Sequence, residues 1–156
     1  MPTPVDELTR LAELHPEKDA VIDDRPEGGV TRSTFADLEM RANRLAHALR
    51  AAGLDRGDKI VWCGRNSLGL VEIIHAARKV GLTAVPLNYR LAPGEASYVV
   101  DNCDAVLAYA DAEFAELFDR IRPDTPKLRE RWIFDGDAAA CQGARELEDI
   151  LDGCPS

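Results

Sequence analysis

Histidine is scarce in this chain, cysteines are never closely paired, cations are outnumbered, and no long apolar run occurs. The three histidines, His15, His47 and His75, lie far apart, and Cys63, Cys103, Cys141 and Cys154 form no C-x-x-C pair. That spacing argues against a zinc site and for ordinary buried or surface thiols. Lysine and arginine number 19 against 28 aspartates and glutamates, a net charge of −9. Nucleic-acid binding needs clustered cations, so it is disfavoured, and the acidity is read as serving solubility. No apolar stretch reaches the roughly 18 residues of a membrane span, and no basic segment followed by an apolar run opens the chain as a signal peptide does. These absences set the expectation of a cytoplasmic protein with reduced thiols. The 156 residues, 46% of them hydrophobic, are enough for one subdomain with its own core, expected over residues 1–156.

The informative stretch is Gly57–Leu91, GDKIVWCGRNSLGLVEIIHAARKVGLTAVPLNYRL. Asp58–Cys63 is a β-branched and aromatic run. Asn66-Ser67 offers an N-cap to an apolar helix over Leu68–Val80. Gly81 suits the C′ position, and Leu82–Leu87 reads as a second strand. Strand, helix and strand in so short a span make a βαβ unit with a right-handed crossover.

The rest of the chain continues the alternation. Thr3 and Pro4 suit the start of a docking helix reaching Leu14. Ala20–Ile22 and Val30–Arg32 read as a hairpin around the turn cluster Asp24–Gly29. Thr34 and Asp37 make a capping box for a helix whose Phe35, Leu38, Ala42, Leu45, Leu49 and Ala52 form one apolar stripe, closed by Gly53. Pro93 and Glu95 start another helix, with Tyr98, Val99 and Cys103 expected on its buried side. Ala105–Tyr109 is a strand. Asp111 caps a helix that buries Phe114, Leu117, Phe118 and Ile121. Arg131–Phe134 is a last strand, and Ala144–Leu151 a short helix with Leu147, Ile150 and Leu151 inward. The class is α/β: a parallel or mixed sheet with helices on both faces.

Three candidate chemistries fail on their residues. Gly64–Gly69, GRNSLG, lacks both the Gly-Lys-Ser/Thr ending of a phosphate loop and the G-x-G-x-x-G spacing, leaving only a helix N-terminus able to attract an anion weakly. Asp135 and Asp137 lack the further acidic ligands of a calcium loop. His75 sits inside a helix with no partner motif and is read as a packed residue, not a base.

An ordered series of residues carries a resemblance. Gly57-Asp58, Asn66-Ser67, Gly81, Pro86-Leu87-Asn88-Tyr89-Arg90-Leu91 and Glu95 together resemble the N-terminal part of the adenylate-forming enzymes, which include acyl-CoA synthetases. The resemblance runs from about Ala20 to Leu151. Val85–Leu91 is similar to fatty or aromatic acid–CoA ligases; peptide-synthetase domains tend to have Asp at the Asn88 position. The resemblance implies activation of a carboxylic acid, of fatty type, by ATP and Mg2+, with transfer to coenzyme A. The family's Ser/Thr/Gly-rich loop with its lysine, its Thr-Glu motif and its C-terminal lid have no counterpart between Met1 and Ser156. No catalytic residue and no metal ligand is therefore assigned, and the fragment by itself is expected to bind no cofactor and to be inactive. Arg90 is the one site residue the resemblance implies, as a contact for the nucleotide end of coenzyme A; the competing reading is a surface arginine that fixes its loop.

Three roles follow. The chain is a scaffold whose partner is the remainder of the synthetase, or a stand-alone interaction module that self-associates or pairs with a partner chain, or a Rossmann-like small-molecule binder outside the family.

Overall fold

A computed structural model of the chain describes residues 6–25 and 29–155. The chain opens with α1 (Glu7–Leu14), a hairpin of β1 (Asp19–Arg25) and β2 (Gly29–Thr34), and the long α2 (Phe35–Ala51). Then β3 (Lys59–Cys63), α3 (Leu68–Val80) and β4 (Thr83–Pro86) form the expected βαβ unit. It is followed by α4 (Pro93–Asn102), β5 (Ala105–Asp111), α5 (Ala112–Arg120), β6 (Glu130–Asp135), β7 (Arg145–Glu146) and α6 (Leu147–Leu151).

Local chemistry sets most boundaries. The Thr34 hydroxyl accepts from the Asp37 N–H at 3.1 Å, and the Asp37 carboxylate accepts from the Thr34 N–H at 3.2 Å. The Thr34 hydroxyl, which also donates to the Asp37 carboxylate at 2.8 Å, and then the Thr34 N–H hold the Asp37 carboxyl below its usual range. Gly81 ends α3 at φ +77°, a left-handed conformation that a side chain resists. At α4 the Glu95 carboxylate accepts from the Ala92 N–H at 2.9 Å, one position before Pro93.

β1 and β2 pair antiparallel and stand apart from the main sheet. The main sheet has five parallel strands in the order β4-β3-β5-β6-β7. Alternation along the strands splits the core in two. Ile60, Leu107, Tyr109 and Trp132 face α2, α3 and α6, whereas Val61, Cys63, Ala108, Ala110 and Ile133 face the side of α4 and α5. The helices thus lie on both faces, as parallel sheets require.

The structure corrects three expectations. Tyr98 is not buried but 69% exposed; Ala96 and Val100 are the buried residues of α4, with Val99 and Cys103 partly buried. At roughly 100° per residue, Tyr98 lies on the far side of the helix from both. The final helix starts at Leu147 rather than Ala144, because Arg145 and Glu146 first pair with Trp132 and Ile133 of β6. The hairpin strands are also longer than the apolar runs that signalled them, absorbing Asp24, Arg25 and Gly29 of the expected turn. At the other end α1 begins at Glu7 after an extended Asp6; the expected cap at Thr3 and Pro4 lies outside the described residues.

Candidate functional site

The strand order reverses beside β3: the chain moves outward from β3 to β4, then crosses back to β5 on the other side. In open parallel sheets the crevice beyond the strand carboxyl ends at such a point is the place for a ligand. Here it lies past Cys63 and Asp111. A cleft of about 680 Å3 occupies this edge, walled by Asp111, Glu113 and Asp135 and, from the hairpin and the β3–α3 loop, by Asp23, Arg25 and Arg65.

The cleft's charges are committed to one another. Asp23 accepts from the backbone N–H of Leu68 at 3.0 Å, so a carboxylate of the hairpin caps α3. Ser67 adds a weaker cap, its hydroxyl accepting from the Leu70 N–H at 3.4 Å. The anion expected at this helix N-terminus is therefore supplied by the chain itself. Arg25 pairs with Asp23 at 3.2 Å and also with Asp135, tying the hairpin to the end of β6. Arg65 pairs with Glu113 at 2.8 Å. Asp111 is buried and caps α5 by accepting from the Glu113 N–H at 3.0 Å. Burial pushes the Asp111 carboxyl up from its ordinary range, against that hydrogen bond.

Two glycines of the GRNSLG segment have a packing role. A Cβ on Gly69 would sit 2.5 Å from the Phe134 ring, and one on Gly64 would sit 2.9 Å from the same ring and 3.2 Å from Asp111 Cβ. Phe134 in turn stacks on Tyr109, with centroids 4.7 Å apart and planes 15° apart. The glycines admit an aromatic ring, not a phosphate.

The nucleophile and base candidates gain no support. Cys63, buried at the switch point, is pushed up to about 12 by burial and the nearby Asp111, so its thiol stays protonated. His75 is half-buried in α3; burial lowers its affinity for a proton, and its Nδ1 has no hydrogen-bond partner among the described residues. The triphosphate of ATP does not fit this cleft: four carboxylates line it, and its two arginines are already paired.

Arg90 lies outside the cleft, in the loop after β4. It is exposed, its guanidinium sits 5.3 Å from the centroid of the Tyr89 ring, and that ring stacks on Phe114 at 4.5 Å. Its backbone N–H donates to the Asn88 side chain at 3.0 Å, a local turn that orders the loop. Sequence reasoning missed the hairpin's role in the cleft, because Asp23 and Arg25 carry no motif of their own.

The family described as AMP-binding enzyme matches residues 8–151. The chain belongs to the AMP-binding enzymes. Among curated AMP-binding relatives it is similar to a 3-oxocholest-4-en-26-oate–CoA ligase of Rhodococcus rhodochrous, 34% identical over 124 residues, which are 80% of this chain and 21% of that protein. It is likewise similar to a 3-hydroxybenzoate–CoA ligase of Aromatoleum sp. (strain CIB), 36% identical over 60% of this chain and 18% of that one. The anthranilate CoA ligase AuaEII, solved with anthranoyl-AMP, matches the fold with a TM-score of 0.83 at 24% identity, over 95% of this chain and 26% of that one. A Mycobacterium tuberculosis fatty acyl CoA synthetase matches with a TM-score of 0.79 at 28% identity, over 95% of this chain and 28% of that one. The chain thus spans about a fifth of the length of the curated relatives it matches. Its α/β fold is that of the N-terminal subdomain of adenylate-forming synthetases. Membership removes the reading of a small-molecule binder outside the family. No helix among the described residues is long and apolar enough to cross a membrane.

Proposed function

We propose that this chain is the N-terminal scaffold subdomain of an AMP-forming acyl-CoA synthetase, which activates a carboxylic acid, of fatty type, with ATP and passes it to coenzyme A in the cytoplasm. The observation that carries the reading is the match over residues 8–151 to AMP-binding enzymes of which the chain spans only about a fifth. The fatty-acid assignment draws on the likeness to the fatty acyl CoA synthetase of Mycobacterium tuberculosis. Four free thiols favour a reducing compartment. Residues 1–156 act as one subdomain whose partner is the remainder of the synthetase. The sheet's β4 edge supports that partner: Trp62, Ile74, Leu82, Ala84 and Pro86 line a mostly apolar groove beside it, and a sheet edge presents unpaired backbone groups to which a further segment can dock.

With the cleft closed to a triphosphate, this chain alone assigns no residue to the chemical step. ATP–pyrophosphate exchange is the decisive assay. The purified chain should give none with fatty or aromatic acids, and measurable exchange would falsify the scaffold reading.

Arg90 is proposed as a contact for a phosphate of coenzyme A. Its exposed guanidinium has no ion-pair partner among the described residues, and it is steadied by the Tyr89 ring. A guanidinium fork suits phosphate better than an ammonium does. In the synthetase, Arg90→Ala is expected to raise the KM for coenzyme A about tenfold while leaving ATP–pyrophosphate exchange unchanged. An unchanged KM leaves Arg90 with its loop-ordering role alone.

A further inference from the structure

Asp-Gly steps occur twice in the chain, at Asp135-Gly136 and at Asp152-Gly153. Such a step has a chemistry of its own. Glycine leaves its amide nitrogen open to approach, and the Cγ of the preceding aspartate is placed to close a five-membered ring on it. Ring closure needs the backbone between the two residues to turn, and the fold holds the two steps differently.

Asp135 ends β6. Its backbone pairs with Asp111 of β5, and its carboxylate is held by Arg25. Gly136 follows at φ +93°, and a Cβ there would stand 2.6 Å from Ala112 Cβ, so this backbone is closely packed. Turning the step breaks the ion pair to the hairpin and lifts the end of a strand. Asp152 is held far less. It follows α6, its side chain is 82% exposed, and its ion-pair partner Arg44 stands at 3.7 Å. The Gly153 N–H makes no hydrogen bond among the described residues, and a Cβ on Gly153 would meet nothing nearer than 4.0 Å. Turning Asp152 about ψ releases one hydrogen bond, from the Cys154 N–H to the Leu151 carbonyl at 2.9 Å. It does so at the end of a five-residue helix, where fraying costs little.

We propose that Asp152-Gly153 is a site of spontaneous isoaspartate formation, whereas Asp135-Gly136 is protected by the fold. The Gly153 nitrogen gives its proton to water and attacks the protonated Asp152 carboxyl. The N–Cγ bond forms, the Cγ–OH bond breaks, water leaves, and a succinimide remains. Water then adds to either ring carbonyl. Addition at Cγ restores aspartate. Addition at the main-chain carbonyl breaks its bond to nitrogen and leaves isoaspartate, with the chain now running through Cβ. The sequence of steps takes up only the water it released and needs no oxidant, cofactor or second enzyme. Arg44, which donates to the Leu151 carbonyl at 2.6 Å, stands beside the lengthened backbone. This chemistry is independent of the synthetase assignment.

The test is storage of the 156-residue chain in mildly acidic buffer made with 18O-enriched water, followed by peptide mass spectrometry. Each succinimide that hydrolyses leaves one 18O atom in its residue. Label is expected to accumulate at Asp152 at least about tenfold faster than at Asp135. The labelled Asp152 peptide should separate into aspartate and isoaspartate forms. In concentrated urea the two rates should converge, because the same dipeptide then lacks its fold. Gly153→Val crowds the attacking nitrogen and should slow labelling at Asp152 about tenfold while leaving Asp135 unchanged. Equal rates in native buffer, faster labelling at Asp135, a ratio that persists in urea, or label at Asp152 that survives Gly153→Val overturns the proposal.

Discussion

Replacing Arg41 with methionine is expected to cost the chain about 3–5 kcal/mol of stability at neutral pH, the usual penalty for stranding one member of a buried ion pair. Arg41 of α2 reaches Glu72 of α3 at 2.5 Å and Glu148 of α6 at 2.7 Å, joining the three helices on one face of the sheet. The Glu72 side chain is 3% exposed, whereas that of Glu148 is 62% exposed. The second arm is therefore screened by water and adds little, and the loss centres on Glu72. Methionine matches much of the arginine stem, so the variant removes charge more than packing.

The pH dependence identifies the cause. Burial already pushes the Glu72 carboxyl up from its ordinary range, and Arg41 pulls it back without cancelling the burial. Without the guanidinium the carboxyl rises further. A carboxyl raised in the folded state binds its proton more tightly there than in the unfolded chain, so stability falls as pH climbs from the unfolded value through the folded one. The deficit of Arg41→Met should be full at neutral pH and shrink as pH falls toward the ordinary glutamate range. Urea melts of both proteins from neutral to mildly acidic pH measure it. A deficit that does not change with pH means the loss comes from packing, not from a stranded charge.

Gly69→Ala is the second large effect, and two opposing terms decide its sign. Gly69 lies in the first turn of α3, where alanine has a better helix propensity by up to about 1 kcal/mol. Against this, the new Cβ would stand 2.5 Å from Phe134 Cδ2 and 3.0 Å from Cε2. The ring is hemmed by Gly64 and stacked on the fully buried Tyr109, so it cannot move aside without breaking that stack. Overpacking of this kind costs about 1–3 kcal/mol, which outweighs the propensity gain. A lower midpoint in thermal or urea melts is expected. In a Phe134→Ala background the same substitution should be neutral or stabilising, since the obstructing ring is gone. A substitution that stabilises the wild-type background shows that Phe134 yields freely.

Much of the architecture is legible in the residues themselves, where the signals are local. The Thr34–Asp37 box, the stripe from Leu38 to Leu49 and the φ +77° at Gly81 each depend on neighbours within a few positions, and those elements fall where periodicity and capping put them. The α4 face shows the limit: composition suggested burying Tyr98, yet geometry buries Ala96 and Val100. The family is legible too, because the ordered series from Gly57-Asp58 to Glu95 survives in one dimension. Spacing alone was enough to reject a phosphate loop in Gly64–Gly69.

What the chain does with those glycines required the third dimension, since Phe134 arrives from far along the sequence to fill the space they leave. The same holds for the cleft. Asp23 caps α3 across 45 residues, Arg25 reaches Asp135 across 110, and Arg41 reaches Glu72 across 31. Charged residues on a strand or helix face carry no periodic signal of their partner; only the strand order and the crossing of the helices bring them together. Arg145 and Glu146 become a strand for the same reason, because the open edge of β6 supplies hydrogen-bond partners that two polar residues would not find alone. Local propensity and patterning name the elements, and the ordered series of residues carries the resemblance to the family. Packing brings buried carboxylates such as Asp23 and Glu72 to their partners, because only there does the cost of leaving one unpaired apply.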